Sequence, residues 1–248
     1  MSPAREPPRY FRGRFPAGFF AHLWKAVTKQ HHRELTPLLR RVIPEDGIVF
    51  DVGAHAGQYA KLFARLAPKG FVYAFEPQSY ARRILRAAIG ANRLRNVAIL
   101  PFGLGAKSGI ALLTLPIKNS GSYGFGLAHM GRDDGKRRTE REAVAVATLD
   151  QAVEALGLAR LDFIKADIEG FEQRMVAGGK KSLKRLQPAL LLECNQAHLA
   201  RAGDSVAGLW TLLEGLGYRA HDPGSSDLPP IAKPRQGDIL FLAKTKTK

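Results

Sequence analysis

Apolar residues recur along this chain in two rhythms: short continuous runs, and longer stretches with apolar positions at helical spacing. The first run, Ile48-Val-Phe-Asp51, ends on an acidic residue, and Gly53-Ala54-His55-Ala-Gly57 follows before a helical pattern over 58–66. A second run, Phe71-Val-Tyr-Ala-Phe, ends at Glu76-Pro77. A helix is expected from about Ser79 to Ala91, placing Ile84, Leu85, Ala88 and Ile89 on one face, and then a third strand over Val97–Phe102 leading to Gly103. Upstream, Thr36-Pro37 reads as the N-cap and first helical residue of a short helix through Val42, which Pro44-Glu-Asp-Gly47 breaks.

The fourth strand of this series is Leu161-Asp-Phe-Ile-Lys-Ala-Asp167. The stretch before it is too long for one crossover helix. It contains two candidate antiparallel strands, Ile110–Leu115 and Ala143–Ala147, separated by a Gly- and charge-rich loop. Thr148-Leu-Asp-Gln151 is a capping box opening a helix over 151–156. After Asp167, the segment Ile168-Glu169-Gly170-Phe-Glu172 opens a helix expected to run to Leu186, and strand five is Ala189–Cys194. A helix over 206–216 and a terminal hairpin, 218–221 with 238–243, complete the pattern. Alternating strands and helices predict an α/β fold: a doubly wound, mostly parallel sheet with an inserted β-hairpin before strand four and an antiparallel hairpin at its end. The expected division is a basic, partly helical extension over 1–44 and one domain over 45–248.

Ligands of such sheets bind beyond the carboxyl ends of the strands. Asp51, Glu76, Gly103, Asp167 and Glu193 all fall there. Glu76 follows Gly57 by 19 residues, close to the offset at which a tip carboxylate accepts ribose hydroxyls. A dinucleotide loop is G-x-G-x-x-G, whereas Asp51-Val-Gly53-Ala-His-Ala-Gly57 spaces its glycines differently and suits a ligand without pyrophosphate. S-adenosylmethionine meets that description. On this reading Asp51 and the 53–57 loop (with Ala54, His55 and the following Tyr59) hold the donor's amino-acid end. Glu76-Pro77 hold its ribose, and Phe102-Gly103 border the adenine. An acceptor hydroxyl has to lose a proton, and Asp167 and Glu169 are the candidate catalytic groups. Either could instead cap the following helix. Glu193, Asn195 and His198 after strand five, and Asn119 and Ser122 in the insertion, are candidate substrate contacts. No His, Asp and Glu set has metal-ligand spacing, so no metal is expected.

Composition narrows the setting. A formal charge of +16 favours anionic partners. Residues 1–41 carry Arg5, Arg9, Arg12, Arg14, Lys25, Lys29, Arg33, Arg40 and Arg41 against Glu6 and Glu34. An amphipathic stretch around Phe19, Phe20, Leu23, Trp24 and Val27 lies among them, and reads as a targeting, packing or membrane-surface element. No run reaches the roughly 18 apolar residues of a membrane span. The single Cys194 excludes an intrachain disulfide, so a cytoplasmic location, with membrane association through the N-terminus, is the expectation.

Asp51-Val-Gly-Ala-His-Ala-Gly57-Gln-Tyr59, Tyr73-Ala-Phe-Glu-Pro77, Thr148-Leu-Asp150, Ile164-Lys-Ala-Asp167-Ile-Glu-Gly-Phe-Glu172 and Pro188-Ala-Leu-Leu-Leu-Glu193 together resemble the FkbM family of S-adenosylmethionine-dependent methyltransferases. The resemblance covers about 45–195 and implies a class I, Rossmann-like methyltransferase fold and O-methylation of a sugar, glycan or natural-product hydroxyl. The family usually has Asn where His55 stands. Two rivals remain: a nucleic-acid methyltransferase, and a non-catalytic peripheral membrane protein on a nucleotide-type fold. The first is disfavoured because Asp167-Ile-Glu-Gly replaces an Asn/Asp-Pro-Pro-aromatic run, Cys194 follows Glu193 and not proline, and Glu193 stands where a lysine would serve a ribose enzyme.

Overall fold

The computed structural model describes residues 18–116, 129–130 and 139–244. Helix α1 (Phe19–Thr28), one 3-10 turn (Arg33–Leu35) and α2 (Thr36–Val42) precede a seven-stranded sheet. Its parallel core is β1 (Ile48–Val52), β2 (Phe71–Phe75), β3 (Val97–Leu100), β8 (Phe163–Ala166) and β9 (Ala189–Cys194). The last two strands, β10 (Tyr218–His221) and β11 (Gly237–Ala243), are antiparallel, giving the order β10, β11, β9, β8, β1, β2, β3. Between β3 and β8 lie β4 (Phe102–Gly105), β5 (Gly109–Pro116), β6 (His129–Met130) and β7 (Thr139–Thr148), a second sheet ordered β4, β7, β5, β6. The helices between strands are α3 (Gln58–Leu66), α4 (Ser79–Ala91), α5 (Leu149–Ala155), α6 (Glu172–Ala177), α7 (Lys180–Leu186), α8 (Gln196–Arg201) and α9 (Val206–Gly215).

The period-two alternation of side chains sends neighbouring strand residues into different cores. Val49, Phe163, Leu191 and Leu240 meet Leu39, Leu62 and Phe63 of α2 and α3 on one face. Phe50, Ile164, Leu190, Leu192 and Phe241 meet Met175, Leu183, Leu209 and Trp210 on the other. Both faces are covered, which is why these strands read as nearly unbroken apolar runs. A third cluster joins α1 and α4 to the second sheet through Ala26, Tyr80, Ile84, Leu113 and Val144.

The doubly wound sheet and the terminal hairpin are as expected, and Thr148 and Gln151 form the capping box. Four details differ. The third strand ends at Leu100 because Pro101 has no N–H to donate, and the chain leaves to pair Phe102–Gly105 with β7. The inserted hairpin is therefore a four-stranded sheet. The helix after Asp167 is two helices broken at Gly178-Gly179, and α8 had no counterpart in the sequence pattern.

The break has a steric cause. A Cβ on Gly178 would stand 2.1 Å from the Gly105 carbonyl oxygen. Gly178→Ala should therefore destabilise the fold by about 1–3 kcal/mol, the usual range for overpacking. Gly215, at the end of α9, has open space where an added methyl would stand, with nothing within 4 Å. Gly215→Ala should be neutral or stabilising by up to ~1 kcal/mol. Urea unfolding of the two variants decides it; equal stabilities would remove the steric account.

Candidate active site

Three strand tips converge beside the glycine loop. The N–H groups of Gly53 and Ala54 both donate to Phe75 O at 3.0 Å, hooking the loop over the end of β2. Asp167 N–H donates to Val52 O, drawing the β8 tip to the same place. Gly53 has φ +80°, and a Cβ there would sit 2.1 Å from Asp167 O, so only glycine lets the two backbones approach. Gly57 serves the helix instead. At φ +83° it caps α3 and packs on Leu85, apart from the cavity wall.

The cavity these tips enclose has a volume of about 240 Å³. Of the residues picked from the sequence, Gly53, Ala54, His55, Tyr59, Glu76, Pro77, Gly103, Asp167 and Glu169 line it. Phe102 stands behind, packed edge-on against Phe75. Asn119 and Ser122 lie outside the described residues. Asn195 is the N-cap of α8, its Oδ1 accepting the N–H groups of Ala197 and His198, so that oxygen is already committed. Glu193 and His198 stand behind Glu169: His198 Nδ1 is 3.1 Å from Glu169 Oε2 and 3.3 Å from Glu193 Oε2, within ion-pairing reach but not aligned for a hydrogen bond. Gly170, at φ +104°, allows this, because a Cβ would strike His198 O.

Glu76 is buried and held rigidly. One carboxylate oxygen accepts the His55 N–H at 2.7 Å and the other the Gln78 N–H at 2.8 Å, while Arg82 Nη1 donates to the carbonyls of Glu76 and Pro77. Burial pushes its pKa up to about 7, those backbone N–H groups offsetting part of the rise. Asp51 lies beneath the loop, and burial likewise raises it to about 7 against the opposing pull of Lys165. Its Oδ2 has no hydrogen-bond partner among the described residues. Glu169 is raised to about 8 by burial first and then by Asp167 and Glu193. It sits in the left-handed region at φ +55°, where the neighbouring loop is pinned by Glu172, whose Oε1 accepts the Ile168 N–H at 2.9 Å.

Several wall residues were not singled out from the sequence, Lys165 and His32 among them. Lys165 is almost fully buried, 3.2 Å from Asp167 Oδ2 and 4.9 Å from the Tyr59 ring centroid. An ionisable residue inside an apolar strand was the available signal. His32, from the extension, stacks on Tyr59 with ring centroids 4.3 Å apart. No spacing in the sequence announces that contact. Among the described wall residues Lys165 is the one lysine or arginine, and the wall also holds Glu76, Asp167 and Glu169, with Asp51 beneath.

Residues 51–220 match the family described as the methyltransferase FkbM domain. The chain belongs to the FkbM methyltransferase family. This FkbM chain is 30% identical over 168 residues to the AMB antimetabolite synthetase AmbE of Pseudomonas aeruginosa, a match over 55% of this chain and 8% of that protein. It is 29% identical over 163 residues to the 2-O-methyltransferase NoeI of Sinorhizobium fredii, covering 62% of this chain and 65% of NoeI. The chain thus spans less than two thirds of either relative. The fold is shared with cofactor-bound Rv0187 from MTB, at TM-score 0.50 and 12% identity over 92% of this chain and 88% of that one.

The raised carboxyls give a test that needs no ligand. Burial raises Glu172 from 4.5 to about 7, offset in part by the Ile168 N–H. Because the folded value lies above the unfolded one, its stabilising contribution is complete below about 4.5 and lost as pH rises through about 7. Glu172→Gln keeps an acceptor oxygen and cannot ionise. Its stability relative to wild type should climb between about pH 5 and about pH 8, by on the order of 3 kcal/mol. Denaturant melts at both ends of that range check it; a constant difference would mean the carboxyl is not perturbed.

Proposed function

We propose that this chain is an S-adenosylmethionine-dependent O-methyltransferase acting on a hydroxyl of a sugar, glycan or natural product. The observation that carries the reading is the convergence of Glu76, Asp167 and Glu169 on one cavity, with Asp51 buried beneath its loop, in a chain whose net charge is +16. An acidic pocket in a basic protein selects a cationic ligand. The unpartnered Asp51 Oδ2 and the half-neutral carboxyls at pH 7 fit a donor that brings positive charge, because its arrival favours their ionised forms. When bound, S-adenosylmethionine supplies a methyl carbon made electrophilic by its sulfonium. NoeI, named a 2-O-methyltransferase, supports oxygen as the accepting atom.

The residues divide the work. Glu76, fixed by two backbone N–H groups, presents its remaining lone pairs to the ribose hydroxyls. Gly103, Leu104 and Leu113 offer an apolar, close-approach surface for the adenine. Asp51, the 53–55 backbone and Asp167 face the charged amino-acid end, and Lys165 holds Asp167 in place. Glu169, as the carboxylate, accepts the acceptor hydroxyl's proton and becomes the neutral acid as the oxygen takes the methyl, and His198 behind it stands 3.1 Å from its Oε2. His32 and Tyr59 close the wall and exclude water, so the reacting groups meet in a fixed geometry.

Calorimetric titration with S-adenosylmethionine should show binding, and Glu76→Ala should weaken it about 10- to 100-fold, the loss of hydrogen bonds to a charged group. Glu169→Gln should keep donor affinity within a few-fold and lower turnover by about 10²–10⁴. Since Glu169 works ionised and its pKa lies near 8, the wild-type rate should rise with pH through that value, and the Gln variant should lose the rise. Absence of both heat and thermal shift with the donor would end the reading. A Glu169→Gln enzyme with unchanged rate would assign the proton to another group.

A further inference from the structure

We propose that α1 is a membrane-interface element that seats this protein on an anionic phospholipid surface. Phe20 is 78% exposed and Trp24 70% exposed, and they stand one helical turn apart on the same stripe. The other exposed large apolar side chains among the described residues are Ile110 and Leu112, which lie on a strand of the second sheet and not on a helix.

The pair cannot be hidden by rotating the helix. Its opposite side is committed to the core through Phe19, Leu23, Ala26 and Val27 against Tyr80, Ile84 and Ala88. Polar bolts hold the same orientation: buried Lys61 Nζ donates to the carbonyls of Ala26 and Lys29, Asn92 Nδ2 donates to Val27 O, and His22 Nδ1 lies 3.0 Å from Tyr80 Oη. A rigidly docked helix therefore shows two aromatic rings to solvent.

Charge names the occupant. Residues 1–41 hold nine Lys and Arg against two Glu, and Lys25 and Lys29 are exposed beside the aromatic stripe. Aromatic side chains favour the headgroup boundary, and basic residues nearby add attraction to anionic lipid. At ten residues α1 extends about 15 Å, so it would lie in the interface plane. No helix among the described residues is long and apolar enough to cross a membrane. Single-stranded nucleic acid would also answer the charge, but its binders set aromatic rings along a basic groove, whereas Phe20 and Trp24 project from the outer side of a helix. The segment following α1 reaches the cavity wall at His32, so a seated α1 would hold the cavity close to the lipid surface.

The tryptophans make the test direct, because Trp24 is exposed and Trp210 is 2% exposed. The full chain should co-sediment with phosphatidylcholine vesicles containing phosphatidylglycerol, and more weakly with pure phosphatidylcholine. Its emission should shift to the blue, iodide quenching should fall, and added salt should reverse the effect. The double variant Phe20→Ala, Trp24→Ala should lose about tenfold or more in vesicle affinity while keeping its melting temperature; Phe20→Ala alone, with Trp24 retained, should reduce the blue shift. Equal vesicle binding by the double variant would overturn the proposal. So would a Trp24 already shielded from iodide without vesicles, a dimer that buries it, or a spectral response to an RNA oligonucleotide and not to vesicles.

Discussion

The site rests on one close approach between backbones. The loop after β1 and the tip of β8 touch at Gly53 and Asp167, with no room for a Cβ between them. That contact turns two separate strand ends into one rim. Together with the hydrogen bonds from Gly53 and Ala54 to Phe75 O, it brings the β2 tip into the same rim and so sets Glu76 and Asp167 in the wall of one cavity. The sheet supplies direction, and this contact supplies distance.

Burial then creates the chemistry. Asp51, Glu76 and Glu172 are buried and Glu169 is half-buried, and all four are raised towards or past neutrality. Buried carboxyls with few counter-charges destabilise the empty protein at neutral pH, a strain that accumulates at functional sites and is offset by the cores on both sheet faces. The carboxyls are not equivalent. Glu76 and Glu172 accept backbone N–H groups and are fixed in place, whereas Glu169 meets His198 and carries the highest value of the four. Position and basicity are thus separated among neighbouring acids.

The legible part of the site is the part that ends strands. Asp51, Glu76 and Asp167 terminate apolar runs, so the alternation that predicts the sheet also places them at its carboxyl edge. Pro101 was an equally plain signal that the third strand stops at Leu100, and Gly178-Gly179 that the helix after Asp167 breaks. Asn195 shows the limit: a polar residue after a strand reads as a ligand contact or as a cap, and only packing shows its Oδ1 turned to α8. Gly57 is similar, since a glycine near a site can serve a helix start and a neighbour such as Leu85. His32 and Leu113 were not legible at all. Each reaches the cavity through contacts between distant segments, which no local spacing encodes.

The site reaches beyond the residues matched by the family. The match begins at residue 51, yet His32 forms part of the wall and stacks on Tyr59. What holds it there lies on α3: Lys61 is buried under the carbonyl end of α1, where burial lowers its pKa to about 8, and Gln58 accepts hydrogen bonds from Gln30 and His31. Both anchors stand on the helix that the glycine loop opens. These hydrogen bonds tie the end of α1 to the helix that the glycine loop opens, so the residues before the family match are joined to the cavity wall through α3.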